Sequence, residues 1–152
     1  MNPVLLDVNV LIALLWPAHE HHSAAHQWFG KNKARRWATC PLTELAFVRI
    51  VSNPAFSDDA LTPSDALSLL EQNLAHPLHL FWPDDIPVRR SVLGEIGPIE
   101  GHRQIADRYL MVLAKKHEGA LATLDQKLKT AGPLIELIHT KGATFRPGRR
   151  PF

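Results

Sequence analysis

The chain has 152 residues, a formal charge of +2, and 45% hydrophobic against 21% charged residues, the proportions of one globular domain with a sizeable core. So small a positive excess excludes a polybasic nucleic-acid clamp, and no apolar run reaches the roughly 20 residues of a membrane-spanning helix. The lone Cys40 excludes an internal disulfide and suits a buried, inert thiol in a reducing, cytoplasmic setting, and the N-terminus lacks a signal-peptide pattern.

In chain order, residues 4–6 read as a short buried strand ending at Asp7, followed by a helix over 9–15 that Pro17 stops. HEHHSAAHQWF (19–29) reads as a second helix, RRWATC (35–40) as a strand, and 41–53 as a helix with Pro41 in its first turn. Thr62, Pro63 and Asp65 form an N-cap, an N1 proline and a capping-box-like acid, opening a helix to about Ala75. HLFW (79–82) is a strand and 88–96 a short helix. After a Gly/Pro-rich loop, 102–118 is the longest helical pattern. GALATLD (119–125) and LIELIHT (134–140) are strands, and 141–152 is a basic tail. Continuous apolar strands interleaved with helices predict one α/β domain over 1–140, a sandwich around a mainly parallel sheet.

Four acids interrupt this pattern where core is expected. Asp7 stands inside VLLDVNVLIALL, with Asn9 two places on. Glu44 shares a stripe with Phe47, Val48 and Val51, and Asp107 shares a face with Leu110, Met111 and Ala114. Asp125 ends an apolar strand with Thr123 two positions before it on the same face. The helix from Asp107 to Lys116 rises about 14 Å and the strand from Gly119 to Asp125 about 20 Å, so a tight connection returns Asp125 toward Asp107. That end is the carboxyl edge of the strands, where Asp7 also sits, where the Glu44 helix begins, and where open α/β sheets place ligands. Buried carboxylates at one edge need a counter-charge, and hard oxygen donors suit Mg²⁺ or Mn²⁺. Each acid also has a purely structural reading: Asp7 as a helix cap, Glu44 as an arginine partner, Asp107 as a tolerated buried acid, Asp125 as a turn starter.

The ordered set of D-V-N-V-L, T-E-L, A-D at the start of the long helix and L-A-T-L-D resembles PIN-domain ribonucleases, specifically VapC-type toxins, over nearly the whole chain. The resemblance implies a PIN-like α/β/α sandwich and an acidic metal site of Asp7, Glu44, Asp107 and Asp125, supported by Asn9 and Thr123. Val8 stands where the family commonly has Thr or Ser, which removes one supporting hydroxyl. The implied activity is Mg²⁺-dependent endoribonucleolytic cleavage (Mn²⁺ as a substitute), with Asp7 and Asp107 as direct ligands and Glu44 and Asp125 holding water or a second ion. RNA, a cognate antitoxin and a second copy of the chain are the implied partners.

Two rivals share an acidic pocket. A haloacid-dehalogenase-type phosphatase needs a second acid where Asn9 stands. A receiver-like Mg²⁺-binding signalling domain would use Asp84 or Asp85 with Lys141, and it leaves Glu44 and Asp107 unexplained. The histidines His19, His21, His22 and His26 read as an exposed helix, since Ser23 breaks the zinc-protease HExxH pattern. Trp16, Trp28, Trp37 and Trp82 read as core or dimer contacts. Arg35, Arg36, Arg103, Arg108, Arg146, Arg149 and Arg150 are the candidates for RNA phosphate contacts.

Overall fold

The structure, a computed structural model, describes residues 1–128 and 132–140. The expected tail over 141–152, with Lys141 and the arginines in it, lies outside the described residues. Five strands, β1 (Val4–Leu6), β2 (Trp37–Thr39), β3 (His79–Phe81), β4 (Ala120–Thr123) and β5 (Ile135–Leu137), form one sheet in the order β3-β2-β1-β4-β5. Every neighbouring pair is parallel. The helices are α1 (Val8–Leu15), α2 (His22–Lys31), α3 (Pro41–Val51), α4 (Pro63–Leu74), α5 (Arg90–Leu93) and α6 (Ile105–Lys116).

Period-two alternation sends β-strand side chains to two separate cores. Val4, Leu6, Trp37 and Ala122 pack with Val10, Leu11, Phe47, Val51, Ala66 and Leu70 from α1, α3 and α4. Leu5, Ala38 and Leu121 face the other way, against Leu93 and the buried run Tyr109–Ala114 of α6. A sheet covered on both faces explains why its strands are apolar without interruption, and the α/β/α sandwich is the architecture the sequence predicts. Cys40 is buried in the second core, and burial pushes its thiol up to about 11. It is chemically quiet.

Local signals account for the element ends. Thr62 accepts from Asp65 N at 3.1 Å ahead of Pro63, and α6 stops at the left-handed Glu118 (φ 55°). A Cβ at Gly119 would collide with the Pro3 carbonyl, so the return into β4 is as tight as expected. The expected helices shift in three places. The second helix begins at His22, because His19 is buried in a turn before it. The element expected over 88–96 is helical only over Arg90–Leu93, and the long helix opens with a 3₁₀ turn, His102–Gln104. Among the described residues no helix is long and apolar enough to cross a membrane.

The sheet order reverses at β1: β2 and β3 lie on one side, β4 and β5 on the other. Chains leaving β1 and β4 at their carboxyl ends therefore diverge, and the crevice between them is where such sheets accommodate ligands.

Candidate functional site

Asp7 leaves β1 into that crevice and caps α1. Its Oδ1 accepts from Val8 N at 2.8 Å, and its Oδ2 accepts from the Thr123 hydroxyl at 2.8 Å. The backbone N–H of Asp7 is itself anchored to the Ala122 carbonyl at 3.0 Å. Thr123, fully buried at the end of β4, has a second role: its Oγ1 accepts from Asp125 N at 3.0 Å. One hydroxyl thus ties together the chain ends that leave two adjacent strands. Asp125 Oδ1 closes a small turn by accepting from Lys127 N at 2.9 Å. The structural reading of Asp7 as a cap and of Asp125 as a turn acid both hold, alongside whatever else these groups do.

Electrostatics brings in a third acid. Asp107 lies in the first turn of α6, half-buried. Burial first, then the charges of Asp7 and Asp125, push its carboxyl up to about 6. Asp7 is only 5% exposed, and burial raises its carboxyl too, with the Thr123 and Val8 hydrogen bonds opposing and the Asp125 charge adding. Among the described residues no cation forms an ion pair with Asp7, Asp107 or Asp125. The amino ends of α1 and α6 offer partial positive charge.

Glu44 stands at the same sheet edge, in the first turn of α3, but its carboxylate turns toward β2. Its Oε2 accepts from the Thr39 hydroxyl at 2.9 Å, and burial followed by the neighbouring Asp84 charge raises its carboxyl. The structure thus brings Asp7, Thr123, Asp125 and Asp107 together and leaves Glu44 at the same edge with separate partners, Thr39 and Asp84. Asn9, half-buried in the first turn of α1, makes no side-chain hydrogen bond among the described residues. Also among the described residues, no three His, Cys, Asp or Glu side chains stand close enough to enclose an ion as oriented.

Other sequence candidates find structural occupations. His22 and His26 donate to the Ala13 and Leu14 carbonyls, each at 2.8 Å, so they close the carboxyl end of α1 rather than lining a free helix face. Asp84 accepts from Leu42 N at 2.9 Å and holds the start of α3, and Asp85 pairs with Lys116 at 2.8 Å. Arg35 grips both Glu136 oxygens at 2.9 and 2.8 Å, and Arg108 donates to the Leu93, Gly97 and Pro98 carbonyls. Trp37 and Trp82 are core, the latter stacked on His117 with centroids 4.1 Å apart. The sequence reading missed Thr39 and His79. The signal available was the likeness of Thr39 to Thr123, each ending an apolar strand at the acidic edge.

The PIN domain family model matches residues 4–132. Ribonuclease VapC39 of Mycobacterium tuberculosis is 40% identical over 136 residues, covering 88% of this chain and 98% of that protein. Ribonuclease VapC38 of the same organism is 40% identical over 142 residues, covering 88% and 99%. Among solved structures, VapBC2 from Rickettsia felis, bound to a DNA fragment from their promoter, superposes with a TM-score of 0.61 at 15% identity, over 89% of this chain and 98% of that one. At that identity the likeness speaks for the fold alone, whereas the family model and the two ribonucleases run along nearly the whole chain. The chain belongs to the PIN-domain family, among the VapC-type ribonuclease toxins.

Proposed function

We propose that the protein is a divalent-metal-dependent endoribonuclease, the toxin of a toxin–antitoxin pair, whose acidic site comprises Asp7, Glu44, Asp107 and Asp125. The observation that carries the reading is Asp107, half-buried beside Asp7 and Asp125 and pushed up to about 6 by burial and then by their charges, with no cation among the described residues paired to it. Groups left in mutual repulsion at a ligand-binding edge suit a hard cation with oxygen ligands. A bound Mg²⁺ or Mn²⁺ would supply a water of lowered pKa and offset charge building on the phosphate.

The chain's own residues do the rest. Thr123 and Val8 N fix Asp7, so the site is built around one rigid carboxylate. The Asp107 side chain carries no hydrogen bond among the described residues, and it is assigned with Asp7 as a direct donor. Asp125 and Glu44 are assigned to hold and orient water. RNA is the proposed substrate, as the ribonuclease relatives suggest. An antitoxin and a second copy of the chain are the proposed protein partners, in the cytoplasm. An apolar groove of about 520 Å³ beside this edge, lined by Leu42, Ile86, Val88, Leu93, Ile105 and Tyr109 among others, supports a protein partner there.

The test is incubation of the purified protein with structured RNA, single-stranded DNA and a phosphomonoester, each with Mg²⁺, Mn²⁺ or chelator, beside Asp7→Asn. Cleavage confined to RNA, lost with chelator and lost in the variant, is the expected pattern. RNA cleavage that survives chelator overturns the metal dependence, and turnover of the monoester favours the phosphatase rival.

A further inference from the structure

Thr39 is fully buried at the end of β2, and its hydroxyl meets two side chains: Glu44 Oε2 at 2.9 Å and His79 Nε2 at 2.7 Å. A hydroxyl has one proton to give, and an ionised carboxylate can only accept. With Thr39 donating to Glu44, the contact to His79 must run the other way, from Nε2–H to the hydroxyl oxygen. We infer that His79 is a positioning residue for Glu44, acting through Thr39 and carrying its ring proton on Nε2.

The ring is well placed for this. His79 opens β3, opposite Trp37 in the parallel register, with its ring centroid 4.8 Å from the Trp37 ring. Burial lowers the imidazole below its ordinary value, and the Leu74 backbone carbonyl that also faces the ring opposes that shift. A ring held on one side by an indole presents Nε2–H as a fixed donor to Thr39. Thr39 in turn fixes one oxygen of Glu44, which leaves Oε1 directed without a hydrogen-bond partner among the described residues. The arrangement repeats on β2 what Thr123 does for Asp7 on β4, with an imidazole added behind the hydroxyl. Asp84 is the other charged neighbour of Glu44, and His76 that of His79.

The consequence for turnover rests on the ribonuclease reading above; the hydrogen-bond chain does not. Both are measured on the full chain. In ¹⁵N spectra of histidine-labelled wild type, with His79 assigned by His79→Asn, Nε2 should show the shift of a protonated nitrogen and a slowly exchanging proton. Thr39→Ser should keep that signal. The nearly isosteric Thr39→Val should lose the protected proton and move the Glu44 carboxyl ¹³C resonance. In RNA cleavage with Mg²⁺, Thr39→Val should lower kcat about tenfold, the worth of one hydrogen bond of about 1.4 kcal/mol, with KM unchanged and Thr39→Ser active. Thr39→Val added to Glu44→Gln should cost nothing further. An unprotonated Nε2 in the wild type, or a Glu44 resonance indifferent to Thr39→Val, overturns the chain. A Thr39→Val loss that multiplies with that of Glu44→Gln makes Thr39 merely structural. A wild type inactive on RNA refutes the ribonuclease reading, and the spectra still decide the hydrogen-bond chain.

Discussion

Two aspartates at one edge meet burial in different ways. Asp7 is the more deeply buried, yet two short hydrogen bonds favour its ionised form. Asp107 has no such bonds and sits at about 6, against an ordinary 3.8. Because burial, and then the charges of Asp7 and Asp125, set its folded-state value above the unfolded one, the cost of its charge is absent below the unfolded value and fully felt once pH passes the folded one. In the metal-free protein Asp107→Asn should therefore raise stability at pH 7.5 by about 1–2 kcal/mol, allowing for screening of a half-exposed group. The gain should vanish below the unfolded value. Urea unfolding in chelator at both ends of that range measures it, and an equal effect at both would rule out the Asp107 charge as the cause. Asp107 and Asp125 were legible in the sequence because an acid on an apolar helix face or strand end breaks a periodicity. The turn of Glu44 toward Thr39 was not. It depends on where one hydroxyl points between two strands, which no pattern records.

At the scale of elements, apolar runs and caps announce strands and helices, while the clamps between them are long-range pairs. Arg35 joins the entry to β2 with Glu136 on β5, 101 residues away, and its Nε donates to the Asn2 carbonyl before β1. It reads in the sequence as one more basic residue in KNKARR. With the arginine largely buried, one Nη1 reaching both Glu136 oxygens while Nε holds the Asn2 carbonyl has more value than a surface ion pair, and a lysine amine cannot keep both contacts. Arg35→Lys should cost about 1 kcal/mol of stability, read by denaturant midpoint, and leave RNA cleavage unchanged. A cleavage defect without a stability loss would return Arg35 to the substrate-binding set. His22 and His26 teach the same lesson. Their spacing suggested a solvated helix face, and only the approach of α2 to the end of α1 gives them carbonyls to cap.

For the whole molecule, topology sorts the remaining arginines. Arg36 precedes β2 and lies at the amino edge of the sheet, away from the acids, whereas the exposed Arg103 sits in the 3₁₀ turn that leads into Asp107. Arg103→Gln should weaken RNA binding and flatten its salt dependence by about one unit of slope or less, and Arg36→Gln should do neither. Binding titrations over a range of salt compare them, and the reverse ranking would place RNA on the opposite edge. If the aspartates at the β1–β4 edge form a divalent-metal site, thermal unfolding of wild type and Asp107→Asn across a Mg²⁺ titration at constant ionic strength will reveal it. An ion that binds the folded site but hardly the unfolded chain should stabilise the wild type by about 2.7 kcal/mol at a hundredfold excess over its dissociation constant. The variant should start more stable, gain much less, and be overtaken. Two curves that rise in parallel without converging would contradict the account and take Asp107 out of the metal site.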